Sequence, residues 1–280
     1  MLLITGANGQ LGKCLQDILP AEKLVLTDVA ELDITNEQAV LAWGEKYPLS
    51  AIMNCAAYTN VDKAESEPEL ARQINVNGPA NLAKLAARKN IPLVHISTDY
   101  VFDGTAHTPI TEDTPAHPLG VYGQTKWEGE QAVFQYAKTA VILRTAWLYS
   151  PYGKNFVKTM LQLAAQRPEL KVVADQFGTP TYAPHVAHAL VEMLPQIKEG
   201  TQEIYHFTDE GTATWYDLAY YTLKCAGSAC TVLPIHTQDY PTPAKRPAFG
   251  VLDKTKFKTT FHKSLPHWTQ GVEKCLKKLS

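Results

Sequence analysis

The sequence predicts an α/β fold, in which a Rossmann-type doubly wound parallel sheet carries a small α/β C-terminal subdomain. Short β-rich runs alternate with helix-length segments through the first half of the chain, and a glycine-rich turn follows the first run. The regular alternation changes after about Ser150. We therefore assign residues 1–150 to the sheet domain and residues 151–280 to the subdomain, and we expect the chain to interleave between them.

The first half of the chain reads as five strands separated by helices. The strands are predicted at Leu2–Thr5, Leu24–Thr27, Ala51–Asn54, Pro92–Ser97 and Val141–Thr145. The helices are predicted at Gln10–Leu19, Asn36–Tyr47, Pro68–Lys89 and Tyr122–Ala137, with Asn36 as an N-cap and a kink at Gly78-Pro79. Strands joined by helices of this length indicate a parallel sheet with right-handed crossovers.

The second half contains more helix than strand. Helices are predicted at Asn155–Gln166, Ala183–Leu194, Thr214–Ala226 and His267–Leu279, strands at Lys171–Ala174 and Glu203–Phe207, and an ordered loop at Asp239–Phe249. No repeat, low-complexity tract or clear linker separates these elements from the first half. We therefore expect a subdomain packed against the sheet domain rather than an independent module.

The composition excludes several classes of protein. Twenty-six Lys and Arg against 28 Asp and Glu give a net charge of −2, so no basic field favours nucleic-acid binding. With 45% apolar and 19% charged residues, the chain is folded rather than disordered. No charge-free apolar run approaches the roughly 20 residues of a membrane span, and no signal peptide is evident.

The five cysteines predict a reducing compartment. They are Cys14, Cys55, Cys225, Cys230 and Cys275, an odd and scattered set without a C-x-x-C pair or zinc-ligand spacing. Reduced thiols of this kind are typical of a cytoplasmic protein.

The segment Gly6-Ala-Asn-Gly9-Gln-Leu-Gly12 follows the first strand and opens the first helix. Glycines in such a turn let the backbone approach a pyrophosphate, and the helix N-terminus adds N–H groups and a positive dipole end. The G-x-x-G-x-x-G spacing alone is weak, but its β-turn-α context at the N-terminus strengthens it. The turn predicts a dinucleotide site.

Two acidic residues follow at and beyond the end of the second strand. Asp28 ends that strand about 20 residues after the glycines, where a carboxylate can accept both ribose hydroxyls of NAD and would repel a 2′-phosphate. This favours NADH, with an ordinary surface-turn acid as the alternative. Asp33 and Ile34 lie where an adenine edge would be held, although Asp33 equally fits a cap for the following helix.

Tyr122 and Lys126 form a Y-x-x-x-K motif whose spacing puts both side chains on one helix face. A free tyrosine has a pKa of about 10, and a neighbouring Lys⁺ is expected to lower it so that the phenol can act as general acid or base. Lys126 can also donate to a nicotinamide ribose. Thr98, at the end of the fourth strand, would place a hydroxyl beside the substrate oxygen that Tyr122 protonates.

The glycine turn, Asn54-Cys-Ala-Ala-Tyr-Thr59, Thr98 and the Tyr122/Lys126 pair together resemble the extended short-chain dehydrogenase/reductases. Longer matches lie at residues 61–67, 97–103, 144–149, 155–160, 175–181, 214–217 and 240–247, so the resemblance spans nearly the whole chain. They resemble the branch of that family that reduces a dTDP-linked 4-ketosugar. The resemblance implies reduction of dTDP-4-dehydro-L-rhamnose to dTDP-L-rhamnose with NADPH or NADH.

The resemblance also implies which residues contact each ligand. The expected cofactor contacts are Gly6, Gly9, Gln10, Leu11, Gly12, Asp28, Asp33, Ile34, Ala56, Ala57, Tyr58, Tyr122 and Lys126. The expected sugar-nucleotide contacts are Thr98, Asp99, Tyr122 and Trp147. Related dehydratases typically read Thr-Asp-Glu where this chain has Tyr100 after Thr98 and Asp99, which disfavours dehydration.

Three residues of the second half, and Trp147 just before it, are candidates for binding a dTDP-sugar. Arg246 in the proline-rich loop is the expected cation for the pyrophosphate, with an ordinary surface arginine as the alternative. Asn155 and Phe156 open a helix that could meet the nucleotide, although Phe156 also fits a core position. Trp147 follows the fifth strand, where ligands bind in open α/β sheets, and could otherwise be a large core residue.

No metal site is predicted. His185 and His188 lie three residues apart on a helix without an evident third ligand, and we expect them to be hydrogen-bonded or exposed. Some members of the family use Mg²⁺ at a dimer contact, but no motif here supports it. The expected partner is the small-molecule dTDP-sugar, with neither nucleic acid nor membrane, and the resemblance allows a homodimer.

Two other functions stay open from the sequence. One is a different nucleotide-sugar reductase or an epimerase, since the Thr98/Tyr122/Lys126 set does not separate them. The other is a non-catalytic role, because the regulatory subunit of methionine adenosyltransferase also resembles this family. An intact set of catalytic residues weighs against that role.

Overall fold

A six-stranded parallel sheet forms the centre of this computed structural model, which describes residues 1–279. The strands, in chain order, are β1 (Leu2–Thr5), β2 (Leu24–Thr27), β3 (Ala51–Asn54), β4 (Leu93–Thr98), β5 (Ala140–Thr145), β6 (Leu148–Tyr149), β7 (Glu169–Val173), β8 (Phe177–Gly178), β9 (Thr181–Tyr182), β10 (Gln202–His206), β11 (Ala213–Thr214) and β12 (Thr231–Ile235). The central order is β10-β5-β4-β3-β1-β2. The chain reverses direction across the sheet between β1 and β3, and ligands bind at the carboxyl ends of strands at such a switch point.

Helices cover both faces of this sheet. They are α1 (Gln10–Gln16), α2 (Glu37–Lys46), α3 (Val61–Ala64), α4 (Pro68–Arg72), α5 (Gly78–Lys89), α6 (Val121–Tyr136), α7 (Phe156–Ala164), α8 (Ala183–Met193), α9 (Trp215–Cys225), α10 (Thr255–Phe261) and α11 (Trp268–Leu279). Asn36 caps α2 as predicted, accepting the amide of Ala39 at 3.0 Å. In the part of the chain described, no helix is both long and apolar enough to cross a membrane.

Alternating strand residues supply two apolar cores. On one face, Ile4 and Leu143 pack with Leu15 of α1 and Leu190 of α8. On the opposite face, the core contains side chains of Leu3, Ile52, Leu93 and, from α5, Leu82 and Leu85. This two-sided burial explains why the strands are almost continuously apolar in sequence.

The strand predicted at Glu203–Phe207 belongs to the central sheet and not to the C-terminal subdomain. It forms β10, which pairs in parallel with β5 so that Tyr205 lies beside Leu143. The preceding helix, α8, packs against α1 of the first half. A sheet ending at β5 would expose a hydrophobic edge, and β10 covers it. The chain therefore returns to the sheet domain well after residue 150.

The segment predicted as one kinked helix over Pro68–Lys89 is helical throughout, and its irregular turn lies just before the glycine-proline pair rather than at it. A π-helical turn at Gln73–Asn77 separates α4 from α5. Pro79 lies in the first turn of α5, where its missing N–H costs little. The π turn directs Asn75 inward, and its amide group donates to Thr125 of α6 at 3.1 Å.

The C-terminal elements form a smaller layer beside the carboxyl edge of the sheet. Its short strands pair as β7 with β12, β8 with β11 and β6 with β9. Tyr149, Tyr182, Leu218, Trp268 and Val272 form its core. The strands β6, β8, β9, β11 and β12 and the helices α3 and α10 were not predicted from the sequence.

Candidate active site

A cleft of about 710 Å³ runs along the carboxyl ends of β1, β3, β4 and β5 and is closed on one side by the C-terminal layer. Its volume is typical of small-molecule sites. Of the residues predicted from the sequence, it is lined by Gly6, Gly9, Gln10, Leu11, Asp28, Asp33, Ile34, Ala56, Ala57, Thr98, Asp99, Tyr122, Lys126, Trp147 and Asn155. Gly12, Tyr58 and Arg246 are not part of this wall.

The glycine turn brings two stretches of backbone into contact. Gly6 adopts a φ of +65°, and a Cβ there would lie 2.7 Å from the backbone nitrogen of Ala56. A Cβ on Gly12 would lie 2.5 Å from the carbonyl oxygen of Gly6. Gly12 thus packs α1 against the turn, while Gly6 and Gly9 open on the cleft. This backbone cradle at the switch point fits a dinucleotide pyrophosphate.

Gln10 joins the glycine turn to the C-terminal layer. Its Oε1 accepts hydrogen bonds from Ser150 Oγ and Asn155 Nδ2, both at 2.9 Å. Asn155 also caps α7, because its Oδ1 accepts the amide of Lys158 at 3.1 Å. Gln10 and Asn155 were predicted to contact different ligands, and the structure places them in direct contact.

Asp28 brings a negative charge to one end of the cleft. Its carboxylate accepts the amide of Asn8 at 3.0 Å and that of Val29 at 2.9 Å, which fixes its orientation. Asp33 and Ile34, which were predicted to lie at an adenine edge, both have partners within the protein. Asp33 accepts both the amide and the hydroxyl of Thr35, and Ile34 is buried in the core.

Tyr58 turns away from the cleft that Ala56 and Ala57 line. Its amide donates to Asn75 Oδ1 at 2.8 Å, and its phenol donates to Glu67 Oε2 at 2.5 Å. The side chain therefore holds the segment after β3 against α4 and the π turn, and only its neighbours face the cleft.

Thr98, Tyr122 and Lys126 share one wall of the cleft. Burial raises the pKa of Tyr122 to about 12, although a hydrogen bond with Thr98 acts in the opposite direction. The Lys126 ammonium is not turned toward the phenol: its Nζ donates to the carbonyl of Ile96 at 2.7 Å and lies 3.3 Å from His95 Nε2. The expected lowering of the Tyr122 pKa by Lys126 is therefore not met in this arrangement.

Lys126 is itself strongly perturbed. Its side chain is almost fully buried, and burial lowers its pKa to about 8, while Glu130 one turn further along α6 opposes the shift. A lysine with such a pKa can exchange a proton near neutral pH.

Asp99 is a second group that titrates near neutrality. Its carboxyl is buried, and desolvation raises its pKa to about 7. Thr98 Oγ1 donates to its Oδ1 at 3.1 Å. Asp99 therefore controls the orientation of the hydroxyl next to Tyr122.

Trp147 and Trp215 form a stacked pair at the substrate side of the cleft. Their ring centroids are 3.6 Å apart with an interplanar angle of 8°, and Phe156 packs on Trp215 with a centroid distance of 4.8 Å. Trp147 has a φ of +46°, which a bulky residue rarely adopts. Trp215 was not predicted as a site residue, although it lies in one of the motifs that carried the family resemblance.

Arg246 forms an ion pair outside the cleft wall. Its Nη2 donates to Asp62 Oδ2 at 2.8 Å and its Nη1 to Asp62 Oδ1 at 3.1 Å. This bidentate pair ties the proline-rich loop to α3. The guanidinium predicted to hold a pyrophosphate is thus already paired with a carboxylate.

The two predicted histidines lie on α8. His185 Nδ1 lies 2.9 Å from the buried Asp209, and Lys274 Nζ lies 3.2 Å from its Nε2. His188 is exposed. Within residues 1–279, no group of three or more His, Cys, Asp or Glu residues could hold a metal ion.

Sequence reasoning also missed Asn54 and His95, which lie behind the cleft wall and contact Lys126 through His95. His95 is fully buried in β4 between apolar residues, and Asn54 ends β3 beside it. A single histidine in an apolar strand is indistinguishable in sequence from an ordinary core residue. The polar residues Thr5 and Asn54, at the ends of β1 and β3, were the available sign that His95 has polar neighbours.

Comparison with known proteins places the whole chain in one group. A family model described as the RmlD substrate binding domain matches residues 1–280. A dTDP-4-dehydrorhamnose reductase of Aggregatibacter actinomycetemcomitans is 42% identical over 97% of each chain. A solved reductase of that name from Clostridium acetobutylicum is 41% identical, with a TM-score of 0.95 and 99% of both chains covered.

A third relative was solved with a cofactor. The structure of dTDP-4-dehydrorhamnose reductase from Bacillus anthracis in complex with NADP is 36% identical to this chain and has a TM-score of 0.95. The similarity covers 99% of this chain and 98% of that one.

Proposed function

The chain belongs to the RmlD substrate binding domain family, and from that membership we infer that it catalyses the NAD(P)H-dependent reduction of dTDP-4-dehydro-L-rhamnose to dTDP-L-rhamnose. The reaction is the last step in making this activated sugar. The observation that carries the inference is the continuous cleft, which joins a dinucleotide cradle at Gly6 to the Tyr122 and Lys126 pair.

The cleft fits a nicotinamide dinucleotide. Gly6 and Gly12 leave no room for a Cβ, so the turn presents backbone at the point where a pyrophosphate would lie. Asp28 lies at the end expected for the adenosine ribose. When bound, NAD(P)H supplies the hydride that reduces the C4 carbon of the sugar.

We propose that the protein's own residues manage the proton and the charge of this reaction. Negative charge develops on the ketone oxygen, and the Tyr122 hydroxyl gives that oxygen its proton. In this structure the Thr98 hydroxyl donates to Asp99 Oδ1; when the substrate is bound, that hydroxyl turns its hydrogen from Asp99 to the same ketone oxygen. The stacked Trp147 offers a flat apolar surface to the sugar.

Reduction is favoured over the chemistry of related enzymes by one residue. Tyr100 follows Asp99, in the place where sugar-nucleotide dehydratases resembling this chain carry a glutamate. Its ring packs edge-on against Tyr122 with a centroid distance of 5.5 Å. A phenol there, whose pKa burial raises, cannot serve as the second carboxylate that elimination of water requires.

The proposed function is tested by the loss of absorbance of reduced cofactor. Purified protein is mixed with enzymatically prepared dTDP-4-dehydro-L-rhamnose and either NADPH or NADH. We expect rapid oxidation of at least one cofactor and formation of dTDP-L-rhamnose. Oxidation of neither cofactor would contradict the proposal, and firmly retained NAD⁺ in the purified protein would point instead to an epimerase.

We predict that Asp28 disfavours NADPH relative to NADH. A unit charge a few ångströms from a 2′-phosphate costs roughly 1–4 kcal/mol. Asp28→Asn should therefore raise the ratio of kcat/KM for NADPH to that for NADH by about tenfold, or ~1.4 kcal/mol. The ratio is measured by initial rates with each cofactor. Glu37→Gln, which removes an exposed charge paired with Lys84, is the control and should leave the ratio unchanged.

We also propose a cytoplasmic location, since all five cysteines are free and the inferred substrate is a nucleotide sugar. The homodimer stays a prediction from the family resemblance.

A further inference from the structure

Three buried polar side chains lie in a row across three neighbouring strands of the sheet. Parallel pairing sets Thr5 of β1 beside Asn54 of β3, and Asn54 beside His95 of β4. All three side chains are at most 1% exposed. We call Thr5, Asn54 and His95 the polar row. Since apolar residues would fill this core equally well, a buried polar row requires a reason.

The donor and acceptor of each hydrogen bond in the polar row can be assigned. The amide of Ala56 donates to Asn54 Oδ1 at 3.1 Å, and the Thr5 hydroxyl donates to the same oxygen at 2.7 Å. A backbone amide can only donate, so the orientation of the Asn54 side chain is determined. Its Nδ2 then donates to His95 Nδ1, 2.8 Å away.

This direction determines the tautomer of His95. With Nδ1 accepting a hydrogen bond, the neutral ring carries its proton on Nε2. That N–H faces Lys126 Nζ at 3.3 Å. A lysine amine can accept this hydrogen bond through its lone pair while donating to the Ile96 carbonyl. An ammonium has no lone pair and would oppose the His95 N–H.

We propose that His95 is a positioning residue for the reduction, held by Asn54 and Thr5 in the Nε2–H tautomer so that it donates to Lys126 and stabilises its neutral amine. The proposal deepens the proposed function and rests on it for the reaction, but not for the tautomer. His95 does not line the cleft and acts only through Lys126.

Besides His95, the titratable groups that act on Lys126 are Cys55 and Glu130. Cys55 faces it from the segment after β3, and Glu130 and Tyr122 lie one turn away on α6. Glu130 favours the ammonium but is already paired with Arg144 at 2.6 Å. Burial, together with Lys126, holds the pKa of His95 well below its usual range, so the ring stays neutral.

The neutral amine of Lys126 would form when the proton of Tyr122 is restored after each reduction. Each reduction consumes one proton, which leaves Tyr122 and must be restored to it. A Lys126 ammonium that gives up its proton becomes the amine that the His95 N–H stabilises. No reactant other than solvent is needed: one N–H bond of Lys126 breaks, the proton passes through water in the cleft that both residues line to the Tyr122 phenolate oxygen, where one O–H bond forms, and solvent later reprotonates the amine. The polar row therefore lowers the cost of restoring Tyr122.

The tautomer is tested by nitrogen NMR on protein labelled with ¹⁵N-histidine, without added nucleotide. The His95 signals are identified by their loss in His95→Gln. We expect a protonated Nε2, an unprotonated Nδ1, and a pH-dependent shift with an apparent pKa near that of Lys126. In Asn54→Asp the new carboxylate accepts from Nδ1, the proton moves to that nitrogen, and the apparent pKa should rise by about one pH unit or more. Protonation of Nδ1 in the wild type would overturn the proposal.

The same variants test the effect on the reaction through the pH dependence of kcat/KM. His95→Leu removes the donor, and the alkaline limb should move up by about one pH unit. His95→Gln keeps an N–H toward Lys126, and the limb should stay near its wild-type position. The part of the kcat/KM profile that reflects the titration of Asp99 should not move. If His95→Leu only lowers the rate equally at every pH, His95 is a packing residue and the proposal fails. If wild type does not reduce the ketosugar, the proposed function fails, and the NMR result alone decides the tautomer.

Discussion

Tyr122→Phe is expected to lower kcat for reduction of the ketosugar by roughly 10²–10⁴-fold, the usual contribution of a positioned general acid. Phenylalanine keeps the ring that packs against Tyr100 but has no proton to give to the developing alkoxide. Binding of NADPH should change little, because the glycine turn and Asp28 are untouched. The rate is measured by cofactor oxidation at saturating substrate, and cofactor binding by equilibrium titration.

Tyr100→Phe is the matched control for this variant. It removes a second phenol from the same cleft wall, 5.5 Å away between ring centroids, without removing the proposed acid. We expect less than a tenfold loss of kcat, on the order of a single weak hydrogen bond. Equal losses in the two variants would mean that Tyr122 has no special role in proton transfer.

Arg144→Met is expected to destabilise the protein by about 3–5 kcal/mol, the cost of leaving one partner of a buried ion pair uncompensated. Arg144 of β5 donates through Nε and Nη2 to Glu130 of α6 at 2.9 and 2.6 Å. Both side chains are at most 4% exposed. The free energy of unfolding is measured by urea denaturation followed by circular dichroism.

Two comparisons separate charge from packing in that experiment. The double variant Arg144→Met with Glu130→Gln removes both charges, and we expect it to recover much of the lost stability. Arg88→Met breaks an exposed pair with Glu45 and should cost less than about 1 kcal/mol. A double variant no more stable than Arg144→Met would show that lost packing, not an unpaired carboxylate, causes the effect.

Local patterns predicted the sheet domain because each strand there is bounded by clear turn and helix signals. Leu2–Thr5, Leu24–Thr27 and Ala51–Asn54 have the predicted bounds. The strand β10 was found in sequence and interleaving of the two parts was expected, but its partner β5 was not predicted, because the pairing joins residues some 60 positions apart. Hydrophobic periodicity indicates that a strand is buried, but it does not indicate which strand it pairs with.

In the candidate site, too, features set by nearby residues could be predicted, and contacts between distant residues could not. The spacing of Tyr122 and Lys126 predicted a shared helix face, and both line the cleft. The partners of charged groups could not be predicted: Arg246 pairs with Asp62, and Lys126 donates to the Ile96 carbonyl beside His95. Each pair joins segments distant in sequence, so only the folded chain reveals which charges are engaged.

The return of the chain to the central sheet has a consequence for synthesis on the ribosome. Until β10 and α8 have left the exit tunnel, β5 is an unpaired edge and the apolar face of α1 is uncovered. The cofactor-binding half is therefore the first to be translated but cannot be completed before most of the chain exists. During that interval the nascent chain carries an open strand edge, the feature that chaperones protect and that aggregation exploits.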